Sequence, residues 1–377
     1  MSDAFSVPRF VAWGSYDRGK PRVRLLLAAL GKRQVLAAQI NVDIWKGIED
    51  KSVVGWLKLA KSALRLVLGY PIALWRLLRR PRDEHVLLLY PAIIDIFVVW
   101  PLARLRSQTI VFDAFIPLYD TLVNDRDKVR GNGLAARLLW NIEKAGLLLA
   151  DFILVDTDQH GDYFSDKFCL RRDKFITVPV GAEPAFWTSR LRASSSKIPN
   201  LPKQYVLFYG QFIPLHGIST IFSAALLARD ASIHWLIIGS GQEEAKARSF
   251  ITKHALPNLT WLRWVDYAAL PDIIRNATVS LGIFGISGKA SRVIPNKMYQ
   301  ILAAGGAIIT RQSPAVAALA LNFPNAIHLV PPGDARALAD IVLKTCAQRR
   351  GDPVPLAARN FLSPDRGIET LMKKLME

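Results

Sequence analysis

Twelve short apolar runs of strand length, separated by longer stretches of helical pattern, set the strongest limit on what this chain can become. Six come early: Arg9–Gly14 (RFVAWG), Gln34–Ile40, His85–Tyr90, Thr109–Phe115, Phe152–Thr157 and Phe175–Val180. Six more follow: Tyr205–Gly210, Ile233–Gly241, Asn258–Val265, Val279–Phe284, Gly306–Arg311 and Ala326–Gly333. Runs of Val, Ile and Leu without polar alternation are what strands covered on both faces require, which means parallel strands joined by helices. Arg22–Leu30 and Leu134–Leu149 are examples of those helices. The fold class expected is α/β, with two doubly wound Rossmann-like domains. Ligands of such folds bind beyond the C-terminal ends of the strands, and two domains facing each other would form a cleft there.

A length of 377 residues suits two domains. The polar, Ser- and Pro-containing stretch 188–204 reads as a linker between an N-terminal domain over 1–187 and a second over 205–350. The tail 351–377 is expected to pack back on the first domain. Cys169 and Cys346 lie apart, without a Cys-x-x-Cys pattern or a His cluster, and read as buried thiols of a reducing compartment. The N-terminus lacks the charged start and apolar core of a signal peptide, so the expected location is cytoplasmic.

The formal charge of +18 calls for an acidic partner: nucleic acid, an anionic membrane or a phosphorylated substrate. Between Lys51 and Arg82 there are eight basic residues and no acidic one, interleaved with Trp56, Leu57, Leu64, Leu68 and Trp75. This pattern fits an amphipathic helix lying at a membrane interface, with Lys58, Lys61 and Arg65 on one stripe and Pro71 kinking the middle. A solvated basic helix packed on a sheet is the plainer alternative. Charge interrupts the segment too often for a bilayer span, which needs about 20 apolar residues. Nucleic acid fits poorly, because the aromatic residues fall in the apolar stripe instead of being arrayed with the cations for stacking.

Several glycine-rich strand-to-helix loops could hold phosphates. They are Ala12–Arg24 with Gly14, Tyr209–Thr220 with Gly210 and Gly217, and Ile237–Glu244 with Gly239 and Gly241. The last is RVIPNKMYQILAAGG, Arg292–Gly306, a helix expected to open at Pro295 and Asn296 and to close at Gly305. A helix N-terminus carries about half a positive charge, yet Arg292 and Lys297 add more. A bound diphosphate would account for those cations.

In motif order, YGQFIPLHGIST, WLIIGSGQEE and GKASRVIPNKMYQILAAGGAIIT resemble the C-terminal domain of GT-B glycosyltransferases of the family 4 type, notably a bacterial group making surface polysaccharides. The resemblance covers most of Tyr205–Gly333 and extends to the acceptor-domain loops GSYDRGKPR and Phe112–Arg126. It implies sugar transfer from a nucleotide-sugar, with the nucleotide on the second domain and a lipid-linked or glycan acceptor on the first. Together with the basic segment Lys51–Arg82, this makes the expected location peripheral, on the inner face of the cell membrane. Where the family has Gly-Arg and Lys-Gly at the diphosphate, this chain has Gly210-Gln211 and His216-Gly217, which leaves Lys289, Arg292 and Lys297 as the expected cations. Gln300, one turn after Asn296, stands where the family has a ribose-binding glutamate; it either bonds the diol or faces solvent. Asp113 is the first choice for a general base and Asp120 the second, should the reaction invert configuration. Each could equally cap a helix or pair with Arg126 or Arg130. Neither a metal nor a cofactor is expected. The departures from the family pattern leave one rival, a non-catalytic membrane-associated partner protein of the same fold.

Overall fold

The computed structural model describes residues 7–44, 56–125, 129–187, 204–347 and 356–377. By internal contacts the chain divides into two units. Unit 1 comprises Met1–Thr121, Val129–Pro179 and Pro364–Glu377; unit 2 comprises Leu122–Lys128 and Val180–Ser363. The division therefore falls before the polar linker, most of which lies outside the described residues. Ala182 is tied within unit 2 by its N–H, which donates to the Leu362 carbonyl at 2.9 Å.

Unit 1 holds strands β1 (Phe10–Gly14), β2 (Leu36–Asn41), β3 (His85–Leu88), β4 (Ile110–Asp113), β5 (Phe152–Val155) and β6 (Phe175–Thr177). They form one parallel sheet in the order β2-β1-β3-β4-β5-β6. The helices are α1 (Pro21–Lys32), α2 (Trp56–Leu78), α3 (Asp95–Leu105), α4 (Leu134–Leu149) and α5 (Asp158–Phe168). One core joins α2, α3, α4 and α5 to one face of the sheet, through Ala73, Ile96, Val99, Leu147 and Phe164. A second core on the other face joins α1 to the last helix of the chain through Leu26, Ile368 and Leu371.

In unit 2, β7 (Tyr205–Tyr209), β8 (His234–Ile238), β9 (Leu259–Leu262), β10 (Val279–Leu281), β11 (Ile308–Arg311) and β12 (Ile327–Val330) form a parallel sheet. Its order, β9-β8-β7-β10-β11-β12, is the Rossmann order read from the middle outward. The helices are α6 (Ile218–Leu227), α7 (Glu244–His254), α8 (Leu270–Asn276), α9 (Gly288–Arg292), α10 (Asn296–Ala303), α11 (Pro314–Ala320) and α12 (Ala335–Ala347). The last helix, α13 (Asp365–Met376), belongs to unit 1. There the backbone of Gly367 comes so near β6 that a Cβ would lie 2.6 Å from the Thr177 carbonyl oxygen.

All twelve expected strands form, each within a few residues of its apolar run. The cysteines differ from expectation. Cys169 is exposed, in the left-handed conformation (φ 55°) that ends α5, and Cys346 is half-buried. Both are free thiols.

Candidate functional site

In a doubly wound sheet the ligand crevice lies where strand order reverses, because the helices leaving the two central strands go to opposite faces. In unit 2 that point is between β7 and β10. β7 runs into Gly210 at φ 142°, a conformation that L side chains rarely adopt. A Cβ there would stand 3.1 Å from the His216 ring and 3.1 Å from Lys297 Nζ. The backbone of Gly210, an imidazole and an ammonium thus converge on one spot. Neighbouring loops are stitched to it. The Gly210 N–H donates to the Ile238 carbonyl at 2.9 Å, and the Phe284 N–H donates to the His216 carbonyl at 3.1 Å. Close backbone approaches occupy the other glycines: a Cβ at Gly217 would lie 2.6 Å from the Phe284 carbonyl carbon, at Gly239 1.9 Å from the Gly210 oxygen, and at Gly241 2.9 Å from Phe212 N.

Lys297 is in the first turn of α10, which begins at Asn296 after Pro295 and has no acidic residue in that turn. The side chain is buried, with Nζ 3.9 Å from the centre of the Phe208 ring and 3.4 Å from the Gly282 carbonyl. Among the described residues no carboxylate forms an ion pair with it, and burial pushes its pKa well below the usual lysine value. A buried lysine beside a helix N-terminus, set against the Phe208 and Tyr209 rings and a carbonyl, is suited to an anion. His216 is buried too. Its Nδ1–H donates to the Gln211 carbonyl, and burial first, then the charge of Lys297, holds its pKa well below the usual value. The imidazole is therefore neutral, and an arriving anion would favour its protonated form. The side chain of Gln211 itself is exposed.

The other expected cations are placed differently. Lys289, in α9, is buried and pairs with Asp125 at 3.7 Å. Arg292 folds back along α9, its Nη1 3.1 Å from where a Cβ of Gly288 would stand. Ser287 caps that helix by accepting from the Ala290 N–H.

Gln300 does not face solvent. The Tyr209 O–H donates to its Oε1 at 3.0 Å, while its Nε2 donates to the Tyr267 oxygen at 2.9 Å and lies 3.5 Å from a Glu183 carboxylate oxygen. Tyr267 in turn donates to Glu183. A carboxylate therefore stands beside the position where the family has one, supplied from elsewhere in the chain. Sequence reasoning missed Glu183, Tyr209 and Tyr267; the only cue was an acid inside the apolar stretch VPVGAEPAFW.

In unit 1 the order reverses between β1 and β3. Gly14, at φ 117°, ends β1, but the approach expected for a ligand is taken by the protein itself: a Cβ would lie 2.4 Å from Asp95 Oδ2. That carboxylate accepts from Ser15 N (2.9 Å), Ser15 Oγ (3.0 Å) and Tyr70 Oη (2.7 Å). Burial nonetheless pushes its pKa up to about 6. A phosphate would meet a carboxylate there, so Gly14 is set apart from the nucleotide contacts.

Asp113, at the end of β4, is buried and pairs with Arg22, not with Arg130; Arg126 lies outside the described residues. Arg22 Nε lies at 2.8 Å and Nη2 at 2.7 Å from the same oxygen. Arg22 also donates to the Val178 carbonyl at 2.6 Å. Burial raises the Asp113 pKa while Arg22 lowers it, and the charge of Asp156 raises it further. Both Arg22 side-chain contacts fall on Oδ1, so Oδ2 is not held by Arg22. Asp120 is buried at the start of a π-helical turn, Asp120–Asp125. Next to this group, Asp156 pairs with His160, whose partner spacing on α5 the sequence did not reveal. Among the described residues no three His, Cys, Asp or Glu side chains gather as a metal-holding group.

Residues 203–348 match the family model of glycosyl transferases group 1. Over 138 residues the chain is 28% identical to an Escherichia coli (strain K12) protein described as a colanic acid biosynthesis glycosyl transferase, WcaI. The match covers 36% of this chain and about a third (34%) of that relative. Among solved structures, sucrose-phosphate synthase from Thermosynechococcus elongatus superposes with a TM-score of 0.69 at 17% identity, over 97% of this chain and 99% of that one. HepE of Anabaena, solved in complex with UDP, gives 0.65 at 10% identity with the same coverage. The resemblance to family 4-type GT-B glycosyltransferases read from Tyr205–Gly333 is borne out, and the fold is theirs.

Proposed function

We propose, for a chain whose residues 203–348 match the glycosyl transferases group 1 family, that it moves a sugar from a nucleotide-sugar to a lipid-linked or polysaccharide acceptor at the cytoplasmic face of a membrane. The observation that carries this reading is Lys297, a buried lysine that forms no ion pair with a carboxylate among the described residues, at the strand-order reversal of unit 2. When the bond between sugar and diphosphate breaks, negative charge grows on the departing phosphate. A lysine already fixed by packing stabilises that charge without having to reorganise. His216, protonated as the anion arrives, adds a second donor. Gly210 and the N-terminus of α10 let the backbone approach. Glu183, Tyr267 and Gln300 hold the wall next to Lys297, and the ribose diol is assigned to that wall. Lys289 and Arg292 give further positive potential along α9.

Uridine diphosphate is the first nucleotide to try, since HepE was solved with it. The WcaI description supports a role in polysaccharide biosynthesis. The acceptor is assigned to unit 1, with Asp113 and Asp120 in its loops. The membrane assignment rests on α2, where Leu64, Val67, Leu68 and Trp75 are at least half exposed. No described helix is long and apolar enough to cross a membrane. The test is release of nucleoside diphosphate from a panel of nucleotide-sugars in the presence of membrane extract. A folded sample that turns over none and binds none contradicts the reading. That outcome would instead favour the second reading, a non-catalytic partner protein that has lost donor binding, to which the engaged amide of Gln300 lends support.

A further inference from the structure

A helix packed on a sheet normally turns its apolar stripe inward and its polar face to water. Three adjacent helices of unit 1 break this rule together. α2 packs on α3 and α3 on α4, all on one face of the sheet, and their inward residues Ala73, Leu77, Ile96, Val99, Ala103 and Leu147 make the core there. Their outward faces are apolar as well. On α2, Leu64, Val67, Leu68, Ile72 and Trp75 are each at least half exposed, at the spacing of one helical stripe. On α3 the outward positions hold Phe97 and Leu105, the latter 82% exposed, with Ile94 exposed at the helix's N-cap. On α4 they hold Leu134, Leu138 and Leu148, the first 83% exposed.

The charges on this layer have one sign. Arg76 on α2 and Arg79 just after it, Arg104 on α3 and Arg137 on α4 are exposed. The acids of the three helices, Asp95 and Glu143, are both buried. Just beyond Arg104, Asp151 pairs with it at 2.9 Å. The layer's next helix, α5, marks the boundary, because it exposes Asp158, Asp162 and Asp166. An apolar area of this extent on a soluble surface marks an interaction site.

We infer that the outward faces of α2, α3 and α4 act as one docking surface for an anionic lipid bilayer. This rests on the membrane reading above and extends it from one helix to three. Charge decides the occupant. Leucine and aromatic side chains enter the acyl boundary while arginines meet lipid phosphates, which is the pattern of interfacial binding. A second copy of this chain would set the same arginines against each other across a two-fold interface.

The experiment is flotation of the full chain with phosphatidylcholine vesicles, with and without phosphatidylglycerol. It compares wild type with Phe97→Glu/Leu105→Glu on α3, Leu134→Glu/Leu138→Glu on α4, and Leu68→Glu/Trp75→Glu on α2. The substituted residues are exposed, so melting temperatures should stay near wild type. Wild type is expected to float only with phosphatidylglycerol, and each double variant to bind about tenfold more weakly or worse. If the α3 and α4 variants bind like wild type while the α2 variant fails, the three-helix surface is overturned and the single-helix membrane reading survives. Equal binding to neutral vesicles overturns the choice of an anionic surface. A dimer seen by light scattering in wild type and lost in these variants overturns it in favour of a second copy. Failure of wild type to bind any vesicle overturns both membrane statements. Calorimetry with UDP on the same sample then tells whether the donor assignment stands without them.

Discussion

The two units solve the same topological problem with opposite chemistry. Each is a six-stranded parallel sheet, and each has a glycine in the left-handed half of backbone space at the end of its first strand, beside the reversal of strand order. In unit 2 that glycine, Gly210, faces a buried lysine and a neutral histidine. In unit 1 the equivalent glycine, Gly14, is covered by the buried carboxylate of Asp95. Among the described residues, one reversal point carries a lysine with no carboxylate paired to it, whereas the other carries a carboxyl group that accepts from three donors. This contrast is what supports the proposal that the donor diphosphate binds at unit 2 and not at unit 1. Surface apolarity divides the other way. The exposed large hydrophobic residues of unit 1 gather on α2, α3 and α4, while those of unit 2, such as Leu227, Trp264, Ile286 and Leu321, are spread among separate elements.

Several substitutions would break or sharpen this contrast. The largest effect is expected for Asp113→Ala. It leaves Arg22 buried without its carboxylate and should cost about 3–5 kcal/mol of stability in urea unfolding. Retained stability with lost turnover would instead assign Asp113 to the chemistry. The second concerns Asp95, whose folded pKa of about 6 lies above its ordinary value. The folded state then holds this proton more tightly than the unfolded state does, so stability is gained as pH falls through 6 towards 4 and lost as it rises. Relative to Asp95→Asn, wild type should gain about 3 kcal/mol over that interval. A flat difference would show that Asp95 is not a strained buried carboxylate. The third, Gln300→Glu, restores the family's residue but places a second carboxylate against Glu183. We expect a loss of about 1–2 kcal/mol in thermal unfolding, the scale of one unfavourable buried polar contact, with no gain in UDP affinity. Tighter UDP binding would show that Glu183 does not do the work of the missing carboxylate.

How far the sequence could be read follows from what each pattern reports. Buried parallel strands are apolar on both faces, so all twelve stood out. Their ends were drawn long because apolarity reports burial, not pairing. Ile283 and Phe284 are fully buried although β10 ends at Leu281. The helix start that carries Lys297 was legible because one short segment supplies proline, cation and closing glycines. The site was illegible where partners come from distant segments. Nothing near Gly14 announces that Asp95 covers it, nothing near Asp113 announces Arg22, and nothing near Gln300 announces Glu183 and Tyr267. His216 was visible only as a departure from the family pattern, and its convergence with Lys297 on Gly210 required the fold. The outward leucines of α3 and α4 escaped notice because their spacing looks the same whether an apolar face points inward or outward.

The central claim is that a nucleoside diphosphate is neutralised by Lys297 at the reversal point of unit 2. Isothermal calorimetry of UDP with wild type and Lys297→Ala, each in two buffers of different ionisation enthalpy, tests it most directly. Wild type should bind and take up protons, because the ligand restores charge to a lysine and a histidine whose pKa values burial has lowered. Affinity should fall as pH rises through the lowered lysine pKa. Lys297→Ala should bind about 10- to 100-fold more weakly, the weight of one charge-assisted contact, with much of the proton uptake gone. Equal affinity and equal proton uptake in the two proteins would contradict the account.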